Sequence, residues 1–155
     1  MNFLEIAFGS ENFRQECELR NDILRVPLGL SLYEENLTAE REQMHFGLFN
    51  GDRLLACVIA VPLSSSEVKL RQMAVAAADQ GRGCGSIIIC CLEELLLISG
   101  FQHVCLNARI SAAGFYAKLG FSAIGAQFIE VGIPHIKMQK KLGPQAVDAS
   151  ASGFE

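Results

Sequence analysis

A chain of 155 residues, 50% hydrophobic and 19% charged, is long enough to bury a core and too apolar to be a disordered segment. A formal net charge of −4 and a pI near 5.4 give no support to nucleic-acid or membrane-surface binding, which normally requires clustered Lys and Arg, and favour a small or neutral partner. No apolar run reaches the length of a membrane span, and Met1 to Phe8 has neither a basic start nor a signal-peptide core, which points to a cytosolic protein.

Leu4 to Phe8 alternates as an edge strand, and Ser10 caps a helix with apolar positions at Phe13, Cys17 and Leu24, ended by Pro27 and Gly29. A second helical piece is expected from Leu32, with Glu40, Arg41 and Glu42 near its end. His45 to Phe49 reads as a strand, Asn50-Gly51 as a hairpin turn, and Arg53 to Val61 as a buried returning strand. Glu67 to Val75 changes phase: Val68 and Leu70 are apolar at even positions, Met73 and Val75 at odd ones. A β-bulge produces such a slip, and so does a strand buried on both faces near its end; the residues leave both readings open.

Asp79 to Ser86 then carries Gly81, Gly83 and Gly85 between that strand and an apolar helix from Ile87 to Ile98, stopped by Gly100. The free N–H groups at the start of a helix, approached through glycine, bind phosphate. The Walker pattern fails, since Ser86-Ile87 follows Gly85 in place of Lys-Ser or Lys-Thr, and G-x-G-x-G in mid-chain does not fit a dinucleotide fingerprint. Cys17, Cys57, Cys84, Cys90, Cys91 and Cys105 form no Cys-x-x-Cys pair and read as reduced core thiols. Cys84, near a helix N-terminus, is the one with a route to reactivity, although a small loop residue that fits is the better reading.

His103 to Arg109 reads as a strand, Ala112 to Leu119 as a short helix closed by Gly120, and Phe121 to Val131 and His135 to Lys141 as a final strand pair. One domain over residues 1–142 is expected, with residues 143–155, rich in Ala, Ser, Gly and Asp, as a flexible tail.

Gln80-Gly81-Arg82-Gly83-Cys84-Gly85 resembles the Gln/Arg-x-x-Gly-x-Gly/Ala motif of the GNAT superfamily of acyl-CoA N-acyltransferases. A second segment strengthens it: Leu106 to Arg109, then Ala113-Gly114-Phe115-Tyr116-Ala117-Lys118-Leu119-Gly120-Phe121, resembles the family's strand, cofactor-side helix and Phe-Tyr-x-Lys-x-Gly-Phe signature. The order of elements agrees from Leu4 to Leu142, and His45-Phe46-Gly47, Leu70 to Val75 and Gly132 to His135 resemble the bacterial ElaA-like branch.

The resemblance implies an α+β fold, an α/β/α sandwich around a mixed, mostly antiparallel sheet of about seven strands whose fourth and fifth strands splay apart. Acetyl-CoA would lie in that splay as co-substrate, with no metal. Its pantetheine arm would pair with main-chain groups of Met73, Ala74 and Val75, and its pyrophosphate would rest on Gln80, Gly81, Arg82, Gly83, Cys84, Gly85 and Ser86. Asn107, Phe115, Tyr116 and Lys118 complete the cofactor side by the same resemblance. Asn107 would bond the arm or an ordered water; a loop-capping role is the alternative. A backbone N–H near Ala74 would polarise the thioester carbonyl, and Tyr116 would protonate the departing thiolate, unless it is an aromatic packed on the core.

The resemblance transfers no base. Glu42, His45, Glu130 and His135 are candidates, and Arg25, Arg71 or Arg109 could hold an acceptor carboxylate, with Arg71 the best placed on the strand leading to the cofactor. The acceptor would be a small-molecule or peptide amine, and the superfamily's habit of self-association allows a homodimer. A non-catalytic acyl-CoA-binding or regulatory module is the competing class, and a purely structural protein with no CoA binding a third.

Overall fold

A strand that is apolar on both faces needs a layer on each side of its sheet. β3 (Arg53–Pro62) is such a strand, buried from Leu54 to Ala60, and in the computed structural model, which describes residues 1–143, it lies near the middle of one seven-stranded sheet. The order is β1-β2-β3-β4-β5-β7-β6, built from β1 (Asn2–Ile6), β2 (Met44–Asn50), β3, β4 (Glu67–Val75), β5 (His103–Arg109), β6 (Ser122–Glu130) and β7 (Ile133–Lys141). Neighbours run antiparallel except β4 and β5, which are parallel.

Helix α1 (Glu11–Leu24) covers one face, where Leu19 packs with Ile6, Phe49, Leu54, Cys57 and Ala74. Helices α2 (Cys84–Ile98) and α3 (Ala113–Lys118) cover the other, where Ile88, Ile89, Leu92 and Tyr116 meet Val58, Leu70, Val104 and Leu106. The arrangement is the expected α/β/α sandwich. Ser10 caps α1 as the sequence predicts, its hydroxyl accepting from the Phe13 N–H at 3.2 Å.

The second helix expected from Leu32 does not form. Two short 3₁₀ turns, Leu32–Glu34 and Thr38–Glu42, stand in its place. Glu35 is extended, and the Asn36 side chain accepts from the Thr38 N–H at 3.0 Å, so local side-chain bonding replaces the helical ladder. The expected tail from Gly143 lies, Gly143 apart, outside the described residues. No described helix is long and apolar enough to cross a membrane.

Two features of β4 organise the site. Its pairing with β3 shifts register so that Gln72 and Met73 lie between the Arg71–Ile59 and Ala74–Cys57 pairs, where β3 has only Val58. This is the β-bulge, and Gln72 occupies it at φ +56°. As a result Val68, Leu70, Met73 and Val75 all turn to the α2/α3 core, which accounts for the phase slip in the sequence. Pairing with β5 stops at Leu70–Leu106, so the two strands part beyond that point.

Candidate active site

Where β4 and β5 part, a cavity of about 400 Å³ opens through the sheet. Met73 and Tyr116 reach it from the α2/α3 side; Arg71, Asn107, Arg109 and His135 reach it from the α1 side. Ala74 pairs with Cys57 and Val75 with Ala56 on the β3 side, while β5 supplies no partner on the other, so the end of β4 is a free strand edge.

The glycine loop lies beyond Met73 and Phe115 rather than on the cavity wall. Its entry is pinned twice. Arg53 donates two bonds to the buried Asp79 carboxylate, at 2.7 and 3.1 Å, which hold that carboxyl below its usual range. The Gln80 amide donates to the Val75 carbonyl oxygen at 3.0 Å. Gly83 is the N-cap of α2 in the left-handed region, and no side chain caps the helix. The N–H groups of Cys84, Gly85 and Ser86 therefore point out of the helix without intrahelical partners, and Gln80 to Gly83 are exposed. An uncapped helix start fronted by open glycines fits a pyrophosphate. Arg82, within the loop, and Lys118, at the end of α3, are exposed, and Cys84 is buried as the first residue of α2.

Tyr116 is 8% exposed, with Phe115 and Phe121 edge-on at 5.0 and 5.7 Å between ring centroids. It is at once a core aromatic and a cavity residue. Burial pushes its phenol up to about 12, so it carries its proton throughout the physiological range. The gap to a free thiol, roughly two units for an exposed phenol, widens accordingly.

On the α1 side, the Asn107 amide donates to Glu130 at 3.2 Å, a partner sequence reasoning did not suggest. His135 is buried, and its Nδ1 faces the Ile133 carbonyl oxygen at 2.9 Å. A carbonyl only accepts, so Nδ1 carries a hydrogen, and Nε2 faces the Glu130 carboxylate at 3.8 Å. Arg71 also lines the cavity, donating to Glu40 and Gln43, both at 2.9 Å.

His45 and Glu42 are not brought to the cavity. Glu42 is exposed on its 3₁₀ turn. His45 is buried with both ring nitrogens engaged, Nδ1 by the Glu16 carboxylate at 2.9 Å and Nε2 by the Glu40 carbonyl oxygen at 2.8 Å. It belongs to a charge cluster in which Arg20, fully buried, donates to Glu16 (2.9 Å), twice to Glu40 (2.9 and 2.7 Å) and through Nε to Gln72 at the bulge (3.0 Å). Glu16, Glu40 and His45 have metal-ligand spacing, but the Arg20 guanidinium already bonds both carboxylates. Sequence reasoning missed Glu16 and Arg20, although helical spacing puts both on the stripe of Phe13, Cys17 and Leu24.

A family described as an acetyltransferase (GNAT) domain matches residues 28–142. YyaT of Bacillus subtilis (strain 168) is 36% identical over 74 residues, about half of each chain. The N-acetyltransferase YitI of the same organism is 33% identical over 132 residues, which are 81% of this chain and 89% of that protein. The crystal structure of Escherichia coli ElaA shares the fold with a TM-score of 0.74 at 19% identity, covering 90% of this chain and 99% of ElaA. With the family matched over most of its length and the splayed β4–β5 pair in place, this chain belongs to the GNAT acetyltransferases and is an acyltransferase.

Proposed function

We propose that the protein transfers an acetyl group from acetyl-CoA to a primary amine of a small molecule or peptide by direct attack. The observation that carries this reading is the parting of β4 and β5 beyond Leu70, which leaves a free strand edge with a buried tyrosine beside it and an uncapped helix start just past Met73 and Phe115. Bound acetyl-CoA supplies an activated thioester. The N–H groups from Gly81 to Ser86 hold its pyrophosphate, with Arg82, Lys118 and Gln80 at the rim, and Met73 to Val75 pair with its extended arm. Phe115 packs between the Gly85 end of the loop and Tyr116.

An N–H near Ala74 meets the negative charge that grows on the carbonyl oxygen; one such donor is worth about 10²–10³ in rate. As the C–N bond forms and the C–S bond breaks, Tyr116 donates to the departing sulfur, and solvent restores its proton. The proton released by the amine passes to His135 Nε2, with Glu130, oriented by Asn107, beside it. Cys84, buried in α2, takes no part.

Thiol release from acetyl-CoA against an amine panel, with Tyr116→Phe as the comparison, tests the reading. The variant is expected to lose roughly 10²-fold in kcat while acetyl-CoA affinity, by calorimetry, stays within about twofold. An unchanged kcat removes Tyr116 from the step. Acetyl-CoA binding without release on any amine would point instead to a non-catalytic acyl-CoA-binding module.

A further inference from the structure

The cavity is lined from both faces of the sheet, and its charge lies on one of them. On the α2/α3 face it is lined by Met73 and Tyr116, the side on which the proposed co-substrate would lie. On the α1 face strand alternation sets Lys69 and Arg71 opposite Val68 and Leu70, and Asn107 and Arg109 opposite Leu106 and Ala108, while Arg25 arrives from the end of α1. The acceptor would therefore meet this second side. Four of its charged lining residues are cationic, Arg25, Lys69, Arg71 and Arg109, against Glu130 alone, in a chain whose net charge is −4.

Two of these cations are matched by carboxylates outside the lining: Arg71 by Glu40 at 2.9 Å and Arg25 by Glu35 at 2.6 Å. Arg109 forms no salt bridge among the described residues. Its Nη2 donates to the Leu24 carbonyl oxygen at 3.0 Å, the same oxygen that accepts from Arg25 Nη1 at 3.1 Å. Two guanidiniums thus meet at the C-terminal end of α1, whose dipole favours cations but supplies no counter-ion. Burial, and Arg25 after it, disfavour the charge on Arg109. A planar guanidinium fork held half-buried beside a like charge is complementary to a carboxylate.

We propose that the acceptor is a small amine that also carries a carboxylate, seated on Arg109 with Arg25 beside it. The proposal rests on the acetyltransferase reading and replaces Arg71, whose charge is already matched by Glu40 and whose Nη1 donates to both Glu40 and Gln43, as the anchor suggested by sequence. A volume of about 400 Å³, shared with the thioester end, has room for an acceptor of amino-acid size.

Calorimetry with product mimics tests this with and without CoA. N-acetylglycine, N-acetyl-β-alanine and N-acetyl-γ-aminobutyrate are compared with their own amides, with N-acetylethanolamine phosphate and with N-acetylputrescine. At least one acid is expected to bind about tenfold or more tightly than its amide, and Arg109→Gln to bring that ratio within about twofold. Arg109→Lys, which keeps the charge but loses the fork, is expected to retain part of the ratio and serves if Arg109→Gln does not fold. Equal affinity for acid and amide throughout, tightest binding of the phosphate or of acetylputrescine, or an acid-to-amide ratio that survives both substitutions overturns the proposal. Bound CoA without acid preference removes only the carboxylate; failure of CoA to bind removes the acetyltransferase reading, while the CoA-free titrations still read the anion site.

Discussion

The three loop glycines are required for two different physical reasons. Gly81 and Gly83 sit at φ +76° and +83°, and a Cβ at either would meet nothing within 4 Å, so backbone angle alone requires glycine there. Gly85 has ordinary helical geometry, but a Cβ on it would stand 3.0 Å from both Met73 Cε and Phe115 Cζ. It is the point where the start of α2 closes on the end of β4 and on α3. Gly85→Val is therefore expected to raise the acetyl-CoA Kd about tenfold or more and to lower Tm by several degrees, because overpacking costs about 1–3 kcal/mol. Gly85→Ala, whose one methyl meets only side-chain ends, should fall between. Calorimetry with acetyl-CoA and a thermal melt on the three proteins check this; a Val variant with native affinity would mean the close approach is not needed for the cofactor. The motif made these glycines legible, since they fall at alternate positions of one short stretch. Arg109 was visible only as one of three arginines, because what distinguishes it is the lack of a carboxylate partner, which no local pattern records.

At the scale of the element, β4 is held bent by a side chain from another layer. Gln72 pays about 1–2 kcal/mol for a left-handed backbone, and the Arg20 Nε–H donated to its Oε1 at 3.0 Å keeps it there. Gln72→Gly relieves the strain but leaves a donor of a fully buried guanidinium without its partner, a loss of about 1–3 kcal/mol. The second effect is the larger, so the variant should be less stable by about 1 kcal/mol, where strain alone predicts a gain. Its KM for acetyl-CoA should rise because the free edge of Met73 to Val75 loses its brace. Urea denaturation with a KM measurement decides it, and a more stable variant with native KM would show that Arg20 does not hold the bulge. The phase slip from Leu70 to Met73 made a bulge one of two readings open in sequence, and the register shift decides for it. Its brace was hidden, because Arg20 and Gln72 are 52 residues apart and a Glu and an Arg four apart on a helix usually form a solvated pair.

Across the whole molecule, strand periodicity and the glycine stops mark the individual elements, and only the resemblance to the acyl-CoA N-acyltransferases implied their arrangement as two helical layers on a mixed sheet, while the segment from Leu32 to Glu42 misled because its polar residues look helical until their partners are known. Glu40 and His45 lie at the end of that segment and in β2, and the cluster they form with Glu16 and Arg20 joins α1, the 3₁₀ turn, β2 and β4. That cluster gives stability a pH signature. Burial disfavours charge on His45, but the Glu16 carboxylate and the Glu40 carbonyl outweigh it, and its pKa is raised above 6.5. The stabilisation is therefore fully present below about 6.5 and is lost as pH rises through the higher folded value, with a slope of at most about 1.4 kcal/mol per unit. Burial pushes the Glu40 carboxyl up, yet Arg20 and then Arg71 bring it below 4.5, so its contribution is present above 4.5 and fades only as pH falls through the lower folded value. The buried thiol of Cys17, pushed up to about 11, opposes folding only above its ordinary value of 9. Between pH 6 and 8.5 the His45 effect stands alone among these: urea midpoints of the wild type should fall as pH rises, and those of His45→Gln should start lower and stay nearly level. A wild-type midpoint that is flat over this range, or a variant that declines in parallel, would show that the buried imidazole is neutral in the folded protein and that Arg20 and Arg71 balance Glu16 and Glu40 without it.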